Sequence, residues 1–245
     1  MQRTTAWVLT ILTIVALAGC DSRTAFLKGV FRRDMDDWAR RDLYGGAFGE
    51  LRKDFPVEYE VMKTRLADRF AANGDEASVT RDALGELTAF IAGHGGDVAQ
   101  APQDALLRIN QQRTRIIEAS RADGVDVCAQ VARGSTTAKG RLTQPTRDAL
   151  DRIVTLDIAA AKAGIDHPTR YPPFALSAAE QSAMIADMAA KGLKTPPGGL
   201  DTADAATQCG IAAANQRFIA ALSPERIAAY ESARALQTRR LLGGQ

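Results

Sequence analysis

All nine prolines of this 245-residue chain fall where a helix can begin or where none is needed. Pro56, Pro102, Pro145 and Pro224 each open a run whose apolar residues recur at helical spacing. Proline suits a first helical position because the N–H it lacks would have no intrahelical partner there. The other five lie in two irregular stretches, Pro168, Pro172 and Pro173 in 165–176, and Pro196 and Pro197 in 194–200. None interrupts an apolar stripe, where the ring would break a backbone bond and strike the preceding turn. No segment alternates apolar and polar residues with period two for long, so no strand is expected. The fold class is therefore all-α, a bundle of roughly eight helices with two Pro-rich loops.

The stripes place the helices. Phe26, Leu27, Val30, Phe31, Met35 and Trp38 form an apolar face with basic and acidic residues opposite. That face packs on the core, or its aromatics enter the headgroup layer of a membrane. Gly45-Gly46 breaks this helix, and a short turn runs on to Leu51. Tyr59, Val61, Met62, Leu66 and Phe70 follow Pro56. Thr80 is a candidate cap for a helix with Leu84, Leu87, Phe90 and Ile91 inward, stopped by Gly93-His94-Gly95-Gly96. Leu106, Ile109, Ile116 and Ile117 follow Pro102, with Gly124 as the stop. Val125 to Arg133 is a short helical segment, and Leu150, Ile153, Val154 and Ile158 mark a helix ending at Gly164. Ser177 and Glu180 have capping-box spacing before Met184, Ile185 and Met188. Asp201 or Thr202 is the expected cap of a helix with Cys209, Phe218 and Leu222, and the last helix carries Ile227, Tyr230 and Leu236. Aromatic residues crowd the first third, so the early helices carry a bulky core and the later ones pack through alanine. Two subdomains divided near 93–101 are compatible with that contrast.

Three cysteines are present. Cys128 is followed by Ala129 and Ala132, and Cys209 has Ala205, Ala206, Ala212 and Ala213 as helix neighbours. A disulfide needs Cα atoms about 5.5–6 Å apart, which small neighbours allow between packed helices. A Cys128–Cys209 bridge is the expectation. Two buried thiols, or a reactive cysteine, are the alternatives.

The third cysteine closes Leu17-Ala18-Gly19-Cys20, at the end of an apolar run from Ala6 to Ala18 that follows Arg3. These are the parts of a secretory signal, and the run is too short to span a bilayer. The segment resembles the lipobox signal of bacterial lipoproteins. That resemblance implies that residues 1–19 are removed, and that Cys20 carries a diacylglycerol on sulfur and an acyl group on its new amine. Residues 20–23 then form the lipidated N-terminus and a short tether, and 24–245 an all-α domain facing the periplasm. Two or more acyl chains give stable anchoring. Asp21 resembles the inner-membrane retention signal of enterobacterial lipoproteins, with the outer membrane as the alternative. The compartment permits disulfides.

Composition and motifs narrow the chemistry. Without residues 1–19 the chain holds 30 basic against 29 acidic residues and no long block of one sign, which argues against nucleic-acid binding. The two histidines, His94 and His167, lack metal-ligand spacing, so neither a metal nor a cofactor is expected. No nucleophile-elbow, Walker or dinucleotide motif occurs. Glu58, Glu60, Glu86 and Glu118 are the best-placed glutamates for a two-carboxylate hydrolase, yet none has a recognisable catalytic setting. The most site-like segment is 165–176, where His167, Arg170, Tyr171 and Phe174 combine imidazole, guanidinium and aromatic groups able to hold a peptide or glycan. Its structural alternative is a wrapping loop with Tyr171 and Phe174 plugging the core. The sequence thus reads as a membrane-anchored periplasmic lipoprotein with a non-enzymatic binding or adaptor domain, whose partner is another envelope component. The alternatives are a peptidoglycan-active enzyme using an acidic pair, and a structural lipoprotein without a stoichiometric partner.

Overall fold

The computed structural model describes residues 25, 28–32, 45–73, 76–134, 142–194 and 199–242. Cys20, the signal segment and Trp38 lie outside the described residues. Among the described residues the chain is helical and has no strand, with ten α-helices and one 3₁₀ helix from Gly45 onward. The helices are α1 (Gly45–Asp54), α2 (Pro56–Asn73), α3 (Glu76–Gly93), α4 (Gly95–Val98), α5 (Gln103–Asp123), α6 (Val125–Ala132), α7 (Gln144–Asp166), α8 (Ala178–Ala190), α9 (Ala205–Ala220) and α10 (Pro224–Leu242), with the 3₁₀ turn at Leu200–Thr202.

That count exceeds the eight or so expected, partly because glycine does not always stop a helix. The Gly93-His94-Gly95-Gly96 stretch does end α3, at Gly93, but Gly95-Gly96 then opens a further turn, α4, which lies under the backbone of Ala235 and the Cβ of Arg239. Gly164 was read as the end of α7, which instead runs on to Asp166. Gly164 is buried, and a Cβ there would overlap the carbonyl of Asp97, so the glycine lets α7 and α4 touch through their backbones. Thr80 lies inside α3 rather than capping it, because nothing between Glu76 and Thr80 resists helix. Asp201 and Thr202 belong to the 3₁₀ turn, and the cap of α9 is Asp204, whose carboxylate accepts from Thr207 N at 2.7 Å. The capping box at Ser177 is present, each of Ser177 and Glu180 accepting from the other's backbone N–H. That helix, α8, buries none of its residues, so Met184, Ile185 and Met188 do not form a core stripe. Leu236 is likewise exposed.

One continuous apolar cluster joins α1, α2, α3, α5 and α7, and takes in Val98 and Ala101 on one side and Ala228 of α10 on the other. Phe48, Leu51, Phe55, Tyr59 and Leu66 give its bulky part, while Ala149, Ala160, Ala161 and Ala228 let the later helices come close. The 93–101 segment is packed between α7 and α10 inside this body. Asp151 of α7 ties in α1 by accepting from Gly46 N at 3.1 Å and Ala47 N at 3.0 Å, the role that a cap residue fills at other helix starts. A side chain at 46 would occupy the place of that carboxylate. Outside the cluster, α6 packs on α9 through the Cys128–Cys209 disulfide, with Cα atoms 5.4 Å apart and a sequence separation of 81.

Candidate functional site

Charged residues stand in register with buried apolar stripes on three helices, and the fold brings them together. On α5, Arg113 lies four residues after Ile109 and three before Ile116, both buried. On α7, Asp157 lies three residues after Val154 and next to Ile158, both buried. On α10, Glu231 and Arg234 follow Ala228, which has no exposed surface. The four line a cavity of about 540 Å³ bounded by α3, α4, α5, α6, α7, α9 and α10. Leu84, Leu87, Ile91, Ile116 and Val154 supply much of its apolar wall, and the exposed Gly134, Leu241 and Leu242 mark where it reaches solvent. Its size is that of a small-molecule site, apolar with a few converging polar groups.

The polar side is built around Glu231, which is 2% exposed. Its Oε2 accepts from Arg113 Nε at 3.0 Å and its Oε1 from Asn110 Nδ2 at 2.9 Å. Gln216 extends the network, donating to the carbonyl of Asn110 at 3.2 Å and to Thr114 Oγ1 at 3.3 Å. A buried ion pair persists when its remaining valences are met in this way. Burial works against the Arg113 charge, but Glu231 and then Asp157 outweigh it and raise the guanidinium pKa.

Asp157 and Arg234 are different. Among the described residues neither side chain makes a hydrogen bond or an ion pair, and both line the cavity. Burial, with the Glu231 charge adding to it, pushes the Asp157 carboxyl up to about 6 against the attraction of Arg113 and Arg234. Burial and the like charge of Arg113 lower the pKa of Arg234. The cavity therefore holds an acid that titrates near neutral pH and a guanidinium whose donors are unspent.

The residues singled out from the sequence lie elsewhere. Tyr171 donates to the carbonyl of Ala101 at 2.8 Å, and Phe174 packs edge-on against Tyr230 with Arg226 over its face. Thr169 N donates to the carbonyl of Gln100 at 2.7 Å, so the 167–176 segment straps the link after α4 to α10. His167 and Arg170 stay exposed and do not converge with those aromatics on a cleft. His94 bonds Asp97 at 2.7 Å and packs against Phe55 and Phe90. Glu58, Glu60 and Glu118 are exposed, and Glu86 pairs with Arg65 and Arg69. Among the described residues, no group of three or more histidines, cysteines or acids is placed to hold a metal, and no helix is long and apolar enough to cross a membrane. Comparison with protein-family models, with curated proteins and with solved structures finds no match to this chain.

Proposed function

We propose that the chain is a lipid-anchored protein of the cell envelope, tethered through Cys20 on the periplasmic side, whose helical domain binds a small envelope component in the cavity between α3, α5, α7 and α10. The cavity carries this reading: about 540 Å³ of apolar-walled space into which Asp157 and Arg234 present unpaired groups. A core built only for stability would fill such a space, because each void forfeits packing energy. The Cys128–Cys209 bond fits an oxidising compartment and so supports the periplasmic side. Binding is favoured over two-carboxylate hydrolysis because both oxygens of Glu231 are committed to Arg113 and Asn110. That leaves Asp157 without a free carboxylate opposite it.

The test is retention of a ligand by the membrane-extracted chain. Organic extraction and mass spectrometry of wild type should yield one compound in stoichiometric amount, which Ala212→Trp, filling the cavity from α9, should lack. Equal recovery from both would exclude the cavity as the binding site. Cys20→Ser should move the protein from membranes to the soluble periplasmic fraction, and its tight retention on membranes would refute the anchor. A second reading, a cell-wall hydrolase with Asp157 as the acid, is favoured by the titration of that group near 6. It requires release of muropeptides from purified peptidoglycan, with loss of that release in Asp157→Asn.

A further inference from the structure

Building on the cavity as a binding site, we propose that its ligand is an anionic amphiphile, with the headgroup on Arg234 and alkyl carbon along the walls from α3, α5 and α7. The charged and titratable groups lining the space are Arg113 from α5, Arg133 after α6, Asp157 from α7, and Tyr230, Glu231 and Arg234 from α10. Three guanidiniums thus face two carboxylates. Arg113 is held by Glu231 and Arg133 donates to Gln208 Oε1 at 2.8 Å, which among the described residues leaves Arg234 as the lining cation free to take an anion. Its planar fork suits an oxyanion, and an anion from the ligand would replace the hydration that burial removes.

The placement of the charges favours an anionic over a cationic headgroup. A cation entering the cavity meets Arg113 and Arg234, whose charges cannot be titrated away in the accessible pH range. Among the described residues an anion meets Asp157 as the one opposing free charge, and that group can shed its charge by taking a proton from solvent. Anion binding and proton uptake by Asp157 are therefore coupled.

The cavity has room for an alkyl chain beside its headgroup. Leu241 and Leu242 at its mouth stand beside Arg239 and Arg240 on the last turn of α10. An apolar rim flanked by cations suits transfer of such a molecule from an anionic surface.

Photolabelling of membranes that hold the full chain tests this, using diazirine-bearing tetradecanesulfonate, which is ionised at every pH used, beside diazirine-bearing tetradecanol. The sulfonate should label the peptides containing Ile116 and Val154 about tenfold or more above the alcohol, as one charge-assisted bond implies. Arg234→Met should erase that preference while leaving labelling by the alcohol unchanged, which shows the cavity intact. In wild type the sulfonate signal should fall severalfold from pH 6 to pH 8, and in Asp157→Asn it should stay flat. Equal labelling of those peptides by sulfonate and alcohol would overturn the anionic ligand and leave the binding site standing. Labelling of cavity peptides by neither probe would overturn both.

Discussion

Arg113 Nε donates to Oε2 of Glu231 at 3.0 Å, joining α5 to α10 across 118 residues of sequence inside an apolar body. The pair is shielded from water on the Glu231 side and shares its second oxygen with Asn110. Isolated from its partner, either charge would sit in a medium that solvates it poorly.

Removing one partner should therefore be far more damaging than removing both. Glu231→Ala strands Arg113 and the amide of Asn110, and unfolding in urea should register a loss of about 3–5 kcal/mol. The double variant Arg113→Met, Glu231→Leu replaces the pair by apolar groups of similar size and should recover most of that loss. A double variant as unstable as the single one would mean that the pair is not the source of the effect.

Asp157 should behave in the opposite sense. Its pKa in the folded chain, about 6, lies above the value of 3.8 for an unperturbed aspartate, so the folded state binds the proton more tightly than the unfolded one. Wild type should gain stability as pH falls from about 6 to about 4, and ionisation of Asp157 should be destabilising above that window. Asp157→Asn removes the buried charge. It should raise stability at pH 8 by on the order of 1–3 kcal/mol, with the gain shrinking below pH 6 and vanishing near pH 4. Urea titrations of both proteins at pH 4, 6 and 8 check this, and a gain that is constant with pH would separate the effect from titration of Asp157.

Arg113, Asp157, Glu231 and Arg234 also mark the limit of what the sequence makes legible. The all-α class follows from helical spacing without period-two alternation, and the Ser177 cap and the Cys128–Cys209 pairing follow from local rules, since each depends on neighbours within a turn or on small residues at a contact. The cavity depends on which faces of α5, α7 and α10 meet, which no local rule contains. One signal was available: Arg113, Asp157 and Glu231 occupy stripe positions where apolar residues are expected, and a charge in register with a buried stripe must find a partner across the fold. Tyr171 and Phe174 belong to a sequence cluster of aromatic and basic residues, but their rings serve the strap that ties the link after α4 to α10. The apolar α8 shows the converse, because helical spacing alone does not say whether anything packs on it.

The disulfide offers a test of compartment and stability together. Protein taken from the periplasm and alkylated without reduction should carry no label at Cys128 or Cys209, and a peptide pair linked through both should appear in the digest. The bond closes a loop of 81 residues, so the chain-entropy model assigns it about 4 kcal/mol. Cys128→Ala with Cys209→Ala should lose about that amount, and the loss should appear first as hydrogen exchange in α6 and α9, which lie outside the main apolar cluster. Protection lost equally from α1 and α7 would show that the bond supports the whole bundle.

Two glycines inside helices should respond to alanine with opposite signs. Gly85 of α3 is exposed, and a Cβ there would meet nothing within 4 Å, so Gly85→Ala removes the backbone entropy penalty without a clash. It should stabilise by about 0.5–1 kcal/mol. Gly164 of α7 is buried, and its Cβ would run into the carbonyl of Asp97 and press on the amide of Ala101 at 3.1 Å. Both obstacles are backbone, so the overlap is relieved only by moving α4 away from α7. Gly164→Ala should lose about 1–3 kcal/mol or more despite its better helix propensity. Because α4 carries Gly95 against Ala235 of α10, the displacement should also reach the cavity wall. Ligand retention should therefore fall in Gly164→Ala and hold in Gly85→Ala. Thermal melts with ligand extraction from both variants check the pair, and a stabilising Gly164→Ala would refute the backbone contact between α4 and α7.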